Sequence, residues 1–447
     1  MFSKILVANR GEIAVRIIRA CKEMGIASVA VYSEADADAM HTALADESYC
    51  IGRAEPSDSY LNGERIISAA LASGAQAIHP GYGFLSENRT FAALCRKYGI
   101  AFIGPSCDTM AMMGDKANVK RVMAENGLPV IPGTAALTDA AHAASEAERI
   151  GYPVMLKASL GGGGRGIRLV KSESELTSAF AAAKAEGAAA FGDSAVYMEK
   201  YIHPARHIEI QILADEFGNV VCLGERDCSI QRNNQKLIEE SPSPVITPDK
   251  RADIFKLVSK AVGAIGYHGA GTLEFLYGGS SNGDNRSGNL YFMEMNVRLQ
   301  VEHTVTESLT GIDLVKWQIR IASGIPLNFT QADVDLHGSS IECRICAKAP
   351  GKVDFLHIPG GPFVRFDTFL TAGTQITPYY DPLIGKLVIY SGSREESLRK
   401  IKSALCELVI DGVKNNIEEQ LAIVESAEFA AGTYDLDYFK RHAAVVK

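Results

Sequence analysis

Short apolar runs alternate with amphipathic stretches from residue 4 to residue 104. Lys4-Ile5-Leu6-Val7-Ala8-Asn9 is followed by a helix-like segment to Cys21 and then by Ala27-Ser28-Val29-Ala30-Val31-Tyr32. That rhythm predicts a βαβ unit and a parallel sheet. Strand candidates at 75–78 and 100–103, with a helix-like stretch over 88–97, complete an open α/β domain of about a hundred residues. Near residue 113 the pattern changes. Segments 152–158, 166–170, 196–202, 207–214 and 220–225 read as strands separated mainly by turns, which predicts antiparallel sheet. A helix near 250–264 and two strands, 271–277 and 289–296, follow, with the Gly-, Ser- and Asn-rich stretch 278–288 as their hairpin loop. Ala-rich 178–190 predicts a helix from propensity alone. The remainder of the chain reads as mixed α/β, with a helix over 395–408.

Size and composition narrow the class. A chain of 447 residues suggests two to four units at about 100–200 residues each. With 47% hydrophobic and 22% charged residues, the composition is that of a globular protein. No apolar run reaches the ~18 residues of a membrane helix, and Met1-Phe2-Ser3-Lys4-Ile5 leads straight into a strand-like segment, so a cytoplasmic protein with no membrane partner is expected. A net charge of −8, from 45 basic and 53 acidic residues, argues against nucleic acid as a partner. Nine cysteines without an export signal predict reduced thiols, mostly in the core. Cys343-x-x-Cys346 reads as two half-buried thiols on a strand, since no second pair supplies further zinc ligands.

Three places carry candidate chemistry. The turn Asn9-Arg10-Gly11-Glu12 has one glycine and so is not a dinucleotide fingerprint. Gly161-Gly162-Gly163-Gly164-Arg165-Gly166 lies between strand-like segments, where bare amides can close around an anion as a phosphate lid; an ordinary mobile linker is the alternative. Lys157, four residues upstream, favours phosphate. Glu294 and Asn296 share one face of a strand, and Glu274 sits on the strand expected to pair with it. Three hard oxygen donors suit Mg²⁺ carrying nucleotide phosphates, against the plainer reading of solvated acids. Arg298 and Glu302 follow directly as a guanidinium and a carboxylate beside that site. The donor-rich segment Arg226 to Lys236 reads as a loop, lining a polar cleft or simply solvated.

Taken together, these residues resemble biotin carboxylase, of the ATP-grasp superfamily, over essentially the whole length. The resemblance rests on Ala8-Asn9-Arg10-Gly11-Glu12-Ile13-Ala14, the run His79 to Asn88, Met113-Gly114-Asp115-Lys116, Glu225-Arg226-Asp227-Cys228-Ser229, Glu294-Met295-Asn296 and Tyr379-Tyr380-Asp381, all in family order. It implies an α/β and α+β chain with an ATP-grasp fold: an N-terminal open parallel-sheet (pre-ATP-grasp) domain over 1–112, an ATP-grasp domain over 113–322 with a glycine-rich lid subdomain at about 131–203, and a C-terminal mixed α/β domain over 323–447. It also implies ATP between two sheets, with Lys116, Lys157 and His207 on its phosphates, Glu199, Lys200, Tyr201 and Ile202 at the adenine, and Gln231 and Asn234 among its other contacts. Gly161, Gly162, Gly163 and Gly164 would fold over it. Glu274, Glu294 and Asn296 would hold Mg²⁺ or Mn²⁺, and Lys236, Arg298 and Val301 would hold bicarbonate. Glu302 would deprotonate the bicarbonate for attack on the γ-phosphate, giving carboxyphosphate. Biotin N1 would then be carboxylated, with Arg298 and Arg344 on the ureido anion and Tyr82 and Gln300 lining the site.

The sequence departs from the family pattern at Leu160, at Asn233-Asn234 and after Arg344, where the usual Asn-Ala-Glu is missing. No Ala-Met-Lys-Met biotinylation motif occurs. A stand-alone subunit, typically a homodimer, acting on a biotin carboxyl carrier protein and serving carboxyltransferase subunits of bacterial acetyl-CoA carboxylase in fatty acid synthesis is therefore the expectation. Two alternatives remain: another ATP-grasp ligase making an acyl or carbamoyl phosphate, and a nucleotide-binding subunit without turnover.

Overall fold

A computed structural model describes residues 1–114, 116–158, 166–191, 194–278 and 288–442. Apolar strands with an amphipathic helix between them give the expected parallel sheet. Strands β1 (Lys4–Val7), β2 (Ala27–Ser33), β3 (Glu47–Gly52), β4 (Ala77–His79) and β5 (Ala101–Phe102) lie in the order β3-β2-β1-β4-β5. Helix Gly11–Glu23 buries Ile13, Ile17, Ile18 and Cys21, spaced at three and four residues, so its inner face is apolar. Strand β3 and helix Gly63–Ser73 are not among the elements the sequence pattern predicts: β3 has only Ile51 buried and lacks an apolar run.

The chain divides into two compact units, 1–128 with 206–275 and 294–447, and 129–205 with 276–293. In the second, β6 (Val154–Ala158) pairs antiparallel with β7 (Ile167–Val170) and β8 (Val196–Lys200). Helices Ala140–Ile150 and Glu173–Phe191 pack on that sheet through Ala143, Ala147, Leu176 and Phe180. The glycine run 161–164, Leu160 and most of the 278–288 loop lie outside the described residues.

The first unit also carries most of the larger sheet. Strands β9 (Ala205–Ala214), β10 (Val220–Arg232), β11 (Gln235–Ser241), β12 (Gly269–Gly278), β13 (Asn289–Asn296) and β14 (Ser339–Cys346) come first in sequence. Then follow β15 (Gly351–Lys352), β16 (Phe355–His357), β17 (Val364–Thr368), β18 (Gln375–Ile376), β19 (Leu383–Ser391) and β20 (Val409–Asp411). Eight of these form one sheet in the order β13-β12-β9-β10-β11-β14-β19-β17, so the C-terminal segment extends the same sheet as β9–β11. Strand β9 is buried along its whole length, with Ile208, Ile210 and Ile212 on one face and His207, Glu209 and Gln211 on the other. The polar face positions the site.

Residues 226–236 are not a loop, contrary to the sequence reading. They form the end of β10 and the start of β11, joined by Asn233 and Asn234 at φ 51° and 64°. A two-residue hairpin of the type I′ form has positive φ at both positions, which asparagine tolerates; the Asn-Asn pair fits that turn. All nine cysteines are unpaired, with Cys343 buried and Cys346 half-buried. No helix among the described residues is long and apolar enough to cross a membrane.

Gly338, at φ 75°, leads into β14, and a Cβ there would overlap the Ser391 carbonyl oxygen of the adjacent strand. Gly338→Ala should therefore lower unfolding stability by about 1–3 kcal/mol or more in a denaturant titration. An unchanged midpoint would contradict the strained geometry.

Candidate active site

Lys236 follows the Asn-Asn turn at the head of β11, and its side chain is 13% exposed. Its Nζ donates to Glu302 Oε1 at 2.7 Å and to Glu274 Oε1 at 3.3 Å, and it also pairs with Glu209. Burying an ammonium costs several kcal/mol unless anions surround it. Here β9, β12 and the turn after β13 each bring one. Burial alone would raise the Glu209 and Glu274 carboxyls, but Lys236 and His207 outweigh it and hold both far below the usual carboxylate range. These acids are ionised at neutral pH.

His207 Nε2 lies 3.2 Å from Glu209 Oε1 and 3.1 Å from Glu274 Oε2. Burial opposes an imidazolium, yet the two carboxylates push its pKa up to about 9. Gln231 Nε2 approaches His207 Nδ1 at 3.3 Å. Behind them Arg226, wholly buried, donates to Gln211 at 2.8 Å, Thr306 at 3.0 Å and Glu209 Oε2 at 3.2 Å. This network is why so polar a segment folds as strand.

Glu302 stands immediately before helix His303–Thr310, makes no side-chain capping bond to it, and is fully buried. Both of its oxygens are committed, Oε1 to Lys236 and Oε2 to Arg344 Nη2 at 2.9 Å. Burial would raise its pKa, but Lys236 and Arg344 lower it. Arg344 is held from behind by Glu239, whose Oε1 accepts from Nε at 2.6 Å. Burial pushes Glu239 up to about 8 and Glu342, its cross-strand partner, to about 7.

Of the three proposed metal ligands, Glu274 and Asn296 are in contact: Asn296 Nδ2 donates to Glu274 Oε1 at 2.8 Å. Glu294, half-buried, precedes Asn296 by two residues on β13 and so shares its face. Gln300 reaches Glu274 Oε1 at 3.3 Å. Arg298 lies beside them, its Nη1 donating to Gln300 Oε1 at 3.0 Å and its Nε 3.1 Å from Glu87. The Val301 carbonyl accepts from Lys386 at 2.9 Å, and the Tyr82 hydroxyl donates to Glu12. Asn234 sits exposed on the hairpin turn.

In the second unit Lys157 Nζ meets Glu199 Oε2 at 2.5 Å, joining two residues expected at opposite ends of a nucleotide. Lys200 instead donates to the Gly151 and Tyr152 carbonyls at 2.8 and 3.0 Å, a structural use. Tyr201 stacks on His203 at 5.5 Å between ring centroids, and Ile202 is buried. Lys116 opens helix Lys116–Glu125; its side chain, like Gly161–Gly164, lies outside the described residues. Sequence reasoning missed Glu209 and Glu239, and named Arg226 only as the start of a donor-rich segment. The alternation His207-Ile208-Glu209-Ile210-Gln211 was the available signal for Glu209, since polar residues at period two on an otherwise apolar strand mark a functional face.

Comparisons with known proteins agree along the chain. Family models match for "Biotin carboxylase, N-terminal domain" over residues 1–110, "Carbamoyl-phosphate synthase L chain, ATP binding domain" over 115–330 and "Biotin carboxylase C-terminal domain" over 342–441. The biotin carboxylase of Haemophilus influenzae is 49% identical over 450 residues, covering 99% of each chain. A pyruvate carboxylase subunit of Methanothermobacter thermautotrophicus is 50% identical over 453 residues, covering 99% of this chain and 91% of its own. The biotin carboxylase domain dimer of the Hydrogenobacter thermophilus 2-oxoglutarate carboxylase, solved with MgADP, ADP and bicarbonate, superposes with a TM-score of 0.91. It is 49% identical and covers 100% of this chain and 99% of its own.

The buried cluster sets the pH response. His207, Glu239 and Glu342 have folded pKa values above their ordinary ones, so between about pH 7 and pH 9 the folded protein releases protons the unfolded chain has already lost. Stability should fall as pH rises through that window. Melting temperature followed from about pH 6 to pH 9.5 should decline on the alkaline side, and Glu239→Gln should flatten the decline. A level profile for the unsubstituted protein would contradict the assigned protonation states.

Proposed function

The chain belongs to the biotin carboxylase family of ATP-dependent ligases, and we propose that it carboxylates biotin carried on a biotin carboxyl carrier protein, using ATP and bicarbonate. The observation that carries this reading is the single Lys236 ammonium bridging Glu274, on the metal-ligand side, and Glu302, the candidate base. A nucleotide-binding subunit without turnover has no physical use for that bridge. Acetyl-CoA carboxylase is the proposed destination, with carboxyltransferase subunits as partners, a homodimeric state and a cytoplasmic location. Relatives that are subunits of pyruvate and 2-oxoglutarate carboxylases make a keto acid the second reading for the final acceptor. The division into 1–112, 113–322 with a lid over about 131–203, and 323–447 is part of the same proposal, supported by the three family-model spans.

The donor set fits magnesium: Glu274, Glu294 and Asn296 are hard oxygens, few in number, and Glu274 is ionised. A bound divalent ion would neutralise the charge of the nucleotide phosphates there. Cationic His207, with Lys116 and Lys157, is proposed to bind those phosphates, and Glu199–Ile202 the adenine; Gln231 and Asn234 are further nucleotide candidates. Lys236, Arg298 and the Val301 backbone are proposed to hold bicarbonate.

Glu302 is a poor base while both its oxygens are paired with cations. When bicarbonate draws Lys236 onto its own oxygens, Glu302 loses that stabilisation and its basicity rises toward what proton abstraction requires. The base is thereby activated only with substrate present. The deprotonated anion attacks the γ-phosphate and displaces ADP, and the carboxyphosphate so formed breaks down to CO₂ and phosphate. The phosphate takes the N1 proton of biotin, and the resulting ureido anion bonds to the CO₂. Arg298 and Arg344 face the ureido anion in this scheme, with Tyr82 and Gln300 as lining.

Free biotin tests the reading directly: ATP cleavage should require both bicarbonate and biotin. Glu302→Gln should reduce that turnover by about 10²–10⁴-fold while leaving equilibrium ATP binding within about twofold. Equal loss of both would remove Glu302 from the role of base. Lys157→Ala should raise the KM for ATP by about tenfold at little cost in kcat; saturation like the unsubstituted protein would rule out its phosphate contact.

A further inference from the structure

Lys386 lies in the middle of β19, fully buried, with Arg344 on β14 and Asp367 on β17 as its cross-strand neighbours. Its ammonium donates to the Val301 carbonyl at 2.9 Å and lies 3.2 Å from Glu12 Oε1. The same Glu12 oxygen accepts the Tyr82 hydroxyl. Glu12 stands in the first turn of helix Gly11–Glu23, and its second oxygen is buried without a hydrogen-bond partner among the described residues. One cation thus ties three distant segments together: the turn that ends at Glu302, the first helix, and the loop carrying Tyr82. Neither Glu12 nor Lys386 has a part in the chemistry assigned so far.

A buried ion pair is weak as a source of stability, because desolvation cancels most of the attraction and apolar residues of similar volume do as well. A methionine would fill the Lys386 site. It could not satisfy the Val301 carbonyl, which lies before the first turn of helix His303–Thr310, nor fix the orientation of the Val301–Glu302 peptide. Glu12 likewise gives the Tyr82 hydroxyl one direction.

We propose that Lys386 is a positioning residue for carboxyl transfer: it fixes the Val301–Glu302 peptide and, through Glu12, the Tyr82 hydroxyl, setting the bicarbonate- and biotin-facing groups in one register. This rests on the function proposed above. The hydrogen bonds of Lys386 go to Val301 and its ion pair to Glu12, and neither reaches Glu274, Glu294 or Asn296. The nucleotide side should be insensitive to it.

The test is steady-state kinetics of the full chain, with ATP, bicarbonate and free biotin varied in turn, for Lys386→Met, Lys386→Arg, Glu12→Gln and Tyr82→Phe. Lys386→Met should lower kcat by about 10–100-fold and raise the KM for bicarbonate or biotin, with the KM for ATP within about twofold. Lys386→Arg, which keeps the charge and a donor, should recover part of the loss. Because Glu12 and Tyr82 act as one unit, the Glu12→Gln/Tyr82→Phe double variant should be little worse than the worse single one. These two sites carry the test if Lys386→Met does not fold by circular dichroism. A KM for ATP that rises as much as the others, losses that multiply in the double variant, or a Lys386→Met protein like the unsubstituted one would overturn the inference. An unsubstituted protein without bicarbonate- and biotin-dependent ATP cleavage would overturn the proposed function itself, a distinguishable result.

Discussion

A lysine ammonium almost entirely out of water, shared by three carboxylates, is the constraint around which the first unit is built. Lys236 cannot be buried without Glu209, Glu274 and Glu302, and those acids cannot be packed together without a cation among them. The three acids come from positions 93 residues apart at the extremes, Glu209 and Glu302, so β9, β12 and the turn after β13 must all be in place before any of the charges is satisfied. The sheet's strand order follows from this need as much as from its apolar face. Around the centre the same rule repeats: Arg226 on Glu209, His207 between two acids, Arg344 between Glu302 and Glu239.

The charge balance also bears on the two chemistries proposed for this one cluster. Glu274 faces Asn296 and the face of β13 that carries Glu294, whereas Glu302 faces Arg344 and the C-terminal strands. Lys236 touches both. An anion that recruits Lys236 alters the ionisation of Glu302 and the charge at Glu274 together, so substrate arrival on one side is felt on the other. Membership of the biotin carboxylase family gives this coupling a purpose, because phosphoryl transfer to a weak nucleophile needs the base and the phosphate charge managed in the same place.

The parallel N-terminal sheet, the antiparallel strands after residue 150 and the shared face of Glu294 and Asn296 were legible in the sequence because each depends on local period and turn residues. Residues 226–236 were misread for a physical reason. Arg226 and Asp227 are satisfied by Arg206, Glu209 and Gln211 across the β9–β10 pairing, and Arg226 also by Thr306, 80 residues on; a single-chain pattern cannot show that a charge will be neutralised. The Asn233-Asn234 turn was visible as a departure from a family pattern, yet its meaning lies in backbone angles. The joining of β11 to β14, whose paired residues such as Glu239 and Glu342 are about a hundred positions apart, left no local trace either. Roles for His207, Gln231 and Arg344 came from the family resemblance, whereas Glu12, Glu239 and Lys386 emerged only from their packing.

Transfer of labelled carbon from bicarbonate to biotin, followed with ADP release in the unsubstituted protein and in Lys236→Met, tests the central claim most directly. The expected result is acid-labile label on biotin in step with ADP, dependent on ATP and magnesium, and abolished in Lys236→Met, with the substituted protein still folded. Label transfer that survives loss of the ammonium would show that the shared cation is not what joins the phosphate site to the base.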